Sequence, residues 1–364
     1  MIASGRGALK LHLPFISSTR FELVRFSKLA LPPVLHQTLR VSPIHFGSIR
    51  SGLLFQIPKL RQRCVSSSSL ASENLSMAKE PVKYSVVDAF TESAFKGNPA
   101  AVCLLDEERD RQWKQAVAAE FNISETCFLN KISDSRFTIR FFTPLTEVDL
   151  CGHATLAASH AVFSSGLVDS DVIEFETLAG VLTVKKIPAK SVNNGETDDG
   201  FYMEFGFPAD HPVELNSPEI SQVSAALNVK AASIVEVKKT KNTDDIFVVL
   251  ESGAAVKEVQ PQIDEIVKYP GRGLIVTGSA PSESGFDFFS RFFSPKLGIN
   301  EDPVCGSAHC SLATYWSKKL QKCDFNAYQA SSRGGVLKIH LDEQNQRVLL
   351  RGKAVTVMEG SILV

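Results

Sequence analysis

The stretch IRFFTPLTEVDLCGHATLAA (Ile139–Ala158) is written a second time, in altered form, later in this 364-residue chain. RFFTP at Arg140–Pro144 recurs as RFFSP at Arg291–Pro295, and CGHATLA at Cys151–Ala157 recurs as CGSAHCSLA at Cys305–Ala313. The offsets are 151 and 154 residues, so both blocks keep their order and nearly their spacing. That pattern predicts two related halves. The first covers residues 81–193. The second covers 200–350 and follows the polar break SVNNGETDDG (Ser191–Gly200), a linker by composition.

Both copies predict the same local plan. SRFTIRFFTP (Ser135–Pro144) alternates apolar and polar residues and reads as a strand ended by Pro144. A polar loop and Cys-Gly follow, then a helix in which Leu156, His160 and Phe163 recur at i, i+4, i+7, with Gly166 as the stop. In the second copy DFFSRFFSP is the strand and Ser307–Leu320 the helix, with Lys318 and Lys319 suiting its negative end. Further strands are predicted at Lys83–Phe90, Ala100–Leu105, Val172–Ile187, Gly200–Pro208, Asp245–Leu250, Gly273–Gly278, Gly335–Leu341 and Arg347–Val364. Other helices are predicted only around Gln112–Phe121 and Pro218–Leu227. Many strands and few helices, twice over, predict an α+β fold built by internal duplication.

Two Cys-Gly helix starts carry a chemical implication. The first amides of a helix lack internal partners and bear partial positive charge, so such an end accepts carboxylates and lowers the pKa of a nearby thiol. Gly152 and Gly306 let backbone approach a ligand. Two such ends meeting in one cleft would set acid/base groups on opposite faces of a bound molecule. That suits removal of a proton beside a carboxylate and its return elsewhere. No dinucleotide or P-loop fingerprint is present, and no cofactor is expected.

Each candidate has a plainer reading. His153 and His309 lie near the helix starts, where a histidine is often structural; its place in the repeat favours function for His153. Ser124 and Glu125, in AAEFNISETCFLN, could be turn polarity. Asp302, before Pro303, and Asn98, before Pro99, could belong to turns. Cys151, His153, Cys305, His309 and Cys310 could be assembled as zinc ligands, but there is no C-x-x-C pair, and no metal is expected.

Composition narrows the class. The chain is 44% hydrophobic and 22% charged, which reads as globular and soluble, and no run of 18 apolar residues predicts a membrane span. Residues 1–76 hold ten Lys/Arg against Glu22 and Glu73. The remainder holds 29 basic and 38 acidic side chains, a net of −9 that argues against nucleic acid as a partner. The basic, Ser-rich extension reads as a transit peptide to plastid or mitochondrion; with Met77 as the true start, the protein would be cytoplasmic. Seven cysteines without framework spacing predict free thiols.

VVDAFTESAFKGNPAAVCLL (Val86–Leu105), AAEFNISETCFL (Ala118–Leu129), the opening stretch and EDPVCGSAHCSLA (Glu301–Ala313) together resemble the phenazine-biosynthesis-like (PhzF-type) isomerase family, collinearly from about Val82 to Val364. The resemblance implies a diaminopimelate epimerase-like fold: two similar domains, each a curled, mostly antiparallel sheet around a central helix, with the active site between them. It also implies that the last strand, near residues 353–364, returns to the first domain. By the same resemblance Glu125 takes and returns the substrate proton, His153 and Asp302 position or relay it, and backbone around Gly152, Gly306 and Ser307 holds a carboxylate. Asn98 and Ser124 join the substrate-binding candidates.

One departure from the family matters. The phenazine enzymes have non-thiol residues before Gly-His and Gly-Ser, whereas here both are cysteines, Cys151 and Cys305. Epimerase and racemase relatives of the fold carry a catalytic cysteine pair at these places. The leading expectation is therefore a cofactor-independent amino-acid racemase or epimerase acting on a small carboxylate. A single-base isomerase using Glu125, and a non-catalytic small-molecule-binding protein, are the alternatives. A homodimer is a possible assembly.

Overall fold

A computed structural model describes residues 80–189, 200–215 and 220–363. The extension read as a transit peptide, residues 1–76, and most of the linker after Lys190 lie outside the described residues.

In the first half the chain forms β1 (Val82–Ala89), β2 (Asn98–Leu105), α1 (Arg111–Phe121), β3 (Glu125–Lys131), β4 (Arg136–Phe142), β5 (Glu147–Val148), α2 (Gly152–Ser164), β6 (Val172–Thr177), β7 (Gly180–Pro188) and β8 (Phe201–Pro208). It continues through β9 (Val213–Glu214), α3 (Ile220–Leu227), β10 (Ile234–Lys239), β11 (Ile246–Leu250), α4 (Gly253–Glu258), α5 (Ile263–Ile266), β12 (Leu274–Ser279), β13 (Phe288–Ser294) and β14 (Ile299–Asp302). It ends with α6 (Gly306–Leu320), β15 (Asp324–Gln329), β16 (Gly335–Asp342), β17 (Arg347–Gly352) and β18 (Ala354–Ile362).

The pairing order in the two halves is the same. β1 pairs antiparallel with β2, β2 runs parallel to β3, β3 antiparallel to β4, β4 parallel to β6, and β6, β7 and β8 follow antiparallel. β10 to β13 and then β15 to β17 repeat each of those relations in turn. β5 and β14 are short antiparallel additions to β4 and β13. The parallel steps exclude a simple meander, because a parallel neighbour needs a crossover. Here α1 and α2 make the crossovers in one half and α4, α5 and α6 in the other.

Two pairings join the halves into one curled sheet. Phe201–Pro208, near the expected opening of the second domain, forms β8, which pairs with β7 on one edge and β17 on the other. β18 comes back to pair antiparallel with β1, from Val82↔Ile362 to Ala89↔Ala354.

The curl closes on α2 and α6. Ala154, Leu156, Ala157, Ala158 and Val162 of α2 and Ala308, Leu312 and Ala313 of α6 are buried in one continuous apolar core with strand residues such as Phe205, Phe288 and Leu350. Both helices are buried over most of their length, and hydroxyls such as Thr155, Ser159, Ser311 and Ser317 bond back to carbonyls of their own helix. A second core under α3, α4 and α5 and a smaller one under α1 cover the outer sheet faces. No helix among the described residues is long and apolar enough to cross a membrane.

Candidate active site

Each central helix starts at its Cys-Gly pair. Cys151 and Cys305 are the N-cap residues, both extended (φ −139° and −105°), and neither gives its helix a side-chain cap. The first amides are thus left for another acceptor. The two starts abut: a Cβ built on Gly152 would lie 3.5 Å from Gly306 Cα. Two pairs of charges brace the polar loops before the helices. Arg140 Nη1 lies 3.5 Å from Glu147 Oε1, and Arg291 Nε lies 2.7 Å from Glu301 Oε1.

A cleft of about 770 Å³ opens on these starts. Glu125, Cys151, Gly152, His153, Asp302, Cys305, Gly306 and Ser307 all line it. The structure therefore brings together eight of the ten residues singled out from sequence. Asn98 and Ser124 do not line it. Asn98 is wholly buried behind Asp302, donating from Nδ2 to Asp302 Oδ1 at 2.6 Å and to the Val304 carbonyl at 3.0 Å. Gln329 fixes the same turn, donating to the Asp302 carbonyl (2.6 Å) and accepting from the Cys305 amide (2.8 Å).

Glu125 is the first residue of β3 and only 3% exposed. Its Oε1 finds no hydrogen-bond partner among the described residues. Burial pushes its carboxyl up to about 8; a hydrogen bond with Cys151 opposes the shift, and Asp302 adds to it. Burial also raises Asp302, to about 6, against the pull of Cys305, Asn98 and Arg272. His153 is driven down to about 3 by burial, so its imidazole is neutral.

Each thiol faces the side chain two residues on. Cys151 Sγ lies 3.3 Å from His153 Nδ1, and Cys305 Sγ lies 3.3 Å from Ser307 Oγ. Burial raises both thiols, Cys151 well above the ordinary range and Cys305 to about 12. The neighbouring carboxylates add to the shift: Glu125 for Cys151 and Asp302 for Cys305. Desolvation and acid neighbours thus outweigh the helix ends, and neither cysteine is a resting thiolate. His309 is a core residue, with Nδ1 2.7 Å from the Cys305 carbonyl and no place in the cleft. Among the described residues, no group of three or more His, Cys, Asp or Glu is placed to hold a metal ion.

Sequence reading missed Arg272, Phe207, Phe292 and Asp210, which complete the wall. Arg272 had a signal: it stands between glycines in YPGRGL, ahead of a predicted strand. The aromatic residues gave none beyond strand alternation.

Residues 87–360 match the family described as phenazine biosynthesis-like protein. The chain belongs to that family. The PhzF-like chain is 43% identical over 280 residues to an uncharacterized isomerase of Halalkalibacterium halodurans, covering 77% of this chain and 97% of that one. A PhzF-family crystal structure from Enterococcus faecalis superposes with a TM-score of 0.68 at 38% identity, over 77% of this chain and 98% of that one. A probable proline racemase from Agrobacterium radiobacter matches with a TM-score of 0.51 at 10% identity, over 77% and 92% of the two chains. That last likeness concerns the fold alone, and fits the diaminopimelate epimerase-like architecture. The PhzF-like chain is thus placed in a family of isomerases.

Proposed function

We propose that this protein is an isomerase that moves a proton on a small carboxylate substrate using its own side chains, with Glu125 as acid/base. The observation that carries this reading is the buried, partnerless Oε1 of Glu125 in the cleft. A buried carboxyl oxygen without a hydrogen bond costs stability, and such groups gather at functional sites. An acid/base with a pKa near 8 both takes and returns a proton close to neutral pH.

The other groups fit around that step. The uncapped amides at Gly152 and Gly306 supply donors for the charge that develops when the proton leaves. Asp302, less raised than Glu125, stays largely ionised at neutral pH and favours the protonated form of Glu125. Neutral His153 is placed to donate or relay. The raised thiols weigh against Cys151 and Cys305 as a pair of resting bases, so the single-carboxyl scheme is favoured over the two-thiol racemase.

Incubation in deuterated water with a panel of amino acids and related small carboxylates, without pyridoxal phosphate, tests the proposal. Solvent deuterium should enter one carbon of a substrate in the wild type and not in Glu125→Gln. Inversion at the labelled carbon would identify a racemase or epimerase, and label at a shifted position a single-base isomerase. Tight ligand binding with no label anywhere in the panel would sink the catalytic reading.

A further inference from the structure

We propose that Arg272 is a substrate-binding residue: with Ser307 it forms the subsite for the substrate carboxylate, at the start of α6 and not at the start of α2. This rests on reading the cleft as a site for small carboxylates.

Charge is the first reason. Glu125, Glu147, Asp149, Asp210 and Asp302 all line the cleft, and Arg272 is the only lysine or arginine among the described lining residues. An anion entering that acidic space meets one cationic side chain, in addition to the amides of the two helix starts. The second reason is aim. Arg272 donates from Nε and Nη2 to the two oxygens of Asp245 at 3.0 and 2.6 Å, and from Nη2 to Ser307 Oγ at 3.1 Å. Asp245 is fully buried and also accepts from Thr243 Oγ1 at 2.7 Å, so the guanidinium is held from behind. Its plane carbon lies 5.1 Å from the centroid of the Phe292 ring. Nη1 meets no acceptor among the described residues and is free to donate to one carboxylate oxygen while the Ser307 hydroxyl donates to the other.

The backbone is shaped to deliver this side chain. Gly271 has φ +86°, and a Cβ there would run into the Asp244 carbonyl. A Cβ on Gly273 would lie 2.7 Å from the Phe293 carbonyl. Glycine on both sides lets the arginine-bearing turn wedge between β11 and β13.

The subsite also breaks the likeness of the two helix starts. The residue matching Ser307 at the α2 start is His153, buried and neutral, with no lysine or arginine beside it in the cleft. A carboxylate seated at α6 therefore directs the neighbouring carbon toward Glu125 and His153. The competing account is that the Arg272–Asp245 pair only fastens the 271–273 turn to β11.

Two alkylating agents of matched size, one anionic and one neutral, separate these accounts. The rates at Cys305 and Cys151 with iodoacetate and with iodoacetamide are measured by peptide mass spectrometry on the full-length protein. The iodoacetate/iodoacetamide ratio at Cys305 should fall by about tenfold or more in Arg272→Gln, with Arg272→Lys in between. Because Arg272→Gln strands a buried Asp245, the double variant D245N/R272Q is run alongside; it leaves no lone charge and should show the same fall. A ratio unchanged within about twofold in a folded variant overturns the proposal. Because both thiols rest protonated, a wild type that resists both reagents is titrated calorimetrically with propionate instead; Arg272→Gln should bind it about tenfold more weakly, and equal affinity, or no binding by the wild type, overturns the proposal. Failure of deuterium incorporation with the ratio effect intact would remove the isomerase reading and leave the anion subsite. The reverse result would remove Arg272 alone.

Discussion

The starts of α2 and α6 are built alike and equipped differently. Both have an extended cysteine as N-cap, a glycine next, and a polar side chain two residues on within 3.3 Å of the sulfur. At α2 that side chain is an imidazole beside Glu125. At α6 it is a hydroxyl tied to Arg272. The common backbone supplies amide donors at both ends; in the function proposed above the side chains divide the labour, with proton transfer at one end and charge recognition at the other. An evenly equipped pair would suit a reaction with mirror-related bases, and this pair is uneven.

The largest expected effect tests the proton-transfer side. Glu125→Gln should lower deuterium incorporation by about 10²–10⁴-fold, the range for a general acid–base group. In the wild type kcat/KM should rise with pH toward about 8, because proton removal needs the ionised carboxyl. A profile that falls across pH 6–8 would reverse the assignment. Next in size is Asn98→Ala. It leaves Asp302 Oδ1 and the Val304 carbonyl without a donor, which should cost about 1–3 kcal/mol in chemical denaturation and push the Asp302 carboxyl higher.

Smaller effects sharpen the contrast. Cys151→Ser and Cys305→Ser should each keep activity within about tenfold, since both thiols are held protonated; loss of about 10²-fold on either would restore the two-thiol scheme. The last effect is on stability and not on activity. Between about pH 4.5 and 8 folded Glu125 keeps a proton that the unfolded chain releases, so its contribution to stability falls as pH rises. Glu125→Gln should melt increasingly above the wild type from pH 5 to 8; a gap that does not grow would show that the carboxyl is not raised.

The longer helices were nearly legible from residue pattern alone, whereas the short α4 (Gly253–Glu258) and α5 (Ile263–Ile266), too brief to show a helical period, were not predicted. Ser307–Leu320 was predicted and Gly306–Leu320 is found, and Gln112–Phe121 gains one residue at Arg111. Strands were harder. Val172–Ile187 reads as one strand, but Leu178 and Ala179 turn it into β6 and β7, with Gly180 at φ +112° the only turn residue to show for it. The strand β3 hides inside SETCFLNK, where Glu125 looks like turn polarity because its burial depends on residues far along the chain. The cleft was legible where the repeat marked it, at Cys151–His153 and Cys305–Ser307. Asn98 was expected to touch substrate and instead backs Asp302, and Arg272 was not foreseen at all, both for a physical reason. One works through Asp302, 204 residues away, and the other through Asp245 and Ser307, which only the closed sheet brings to it.

The return of β18 onto β1 makes the described body a ring in all but covalent terms. Val82 and Ile362 are register partners, about one strand spacing (~5 Å) apart. A short linker could join them, and new ends could be cut at the exposed β16–β17 turn, Glu343–Gln346. Such a permuted chain keeps every pairing that shapes the cleft except the connectivity of one hairpin. Whatever is attached ahead of Val82 leaves the fold beside its last strand, at the opposite end of β1 from Ala89 and the turn that leads to Asn98.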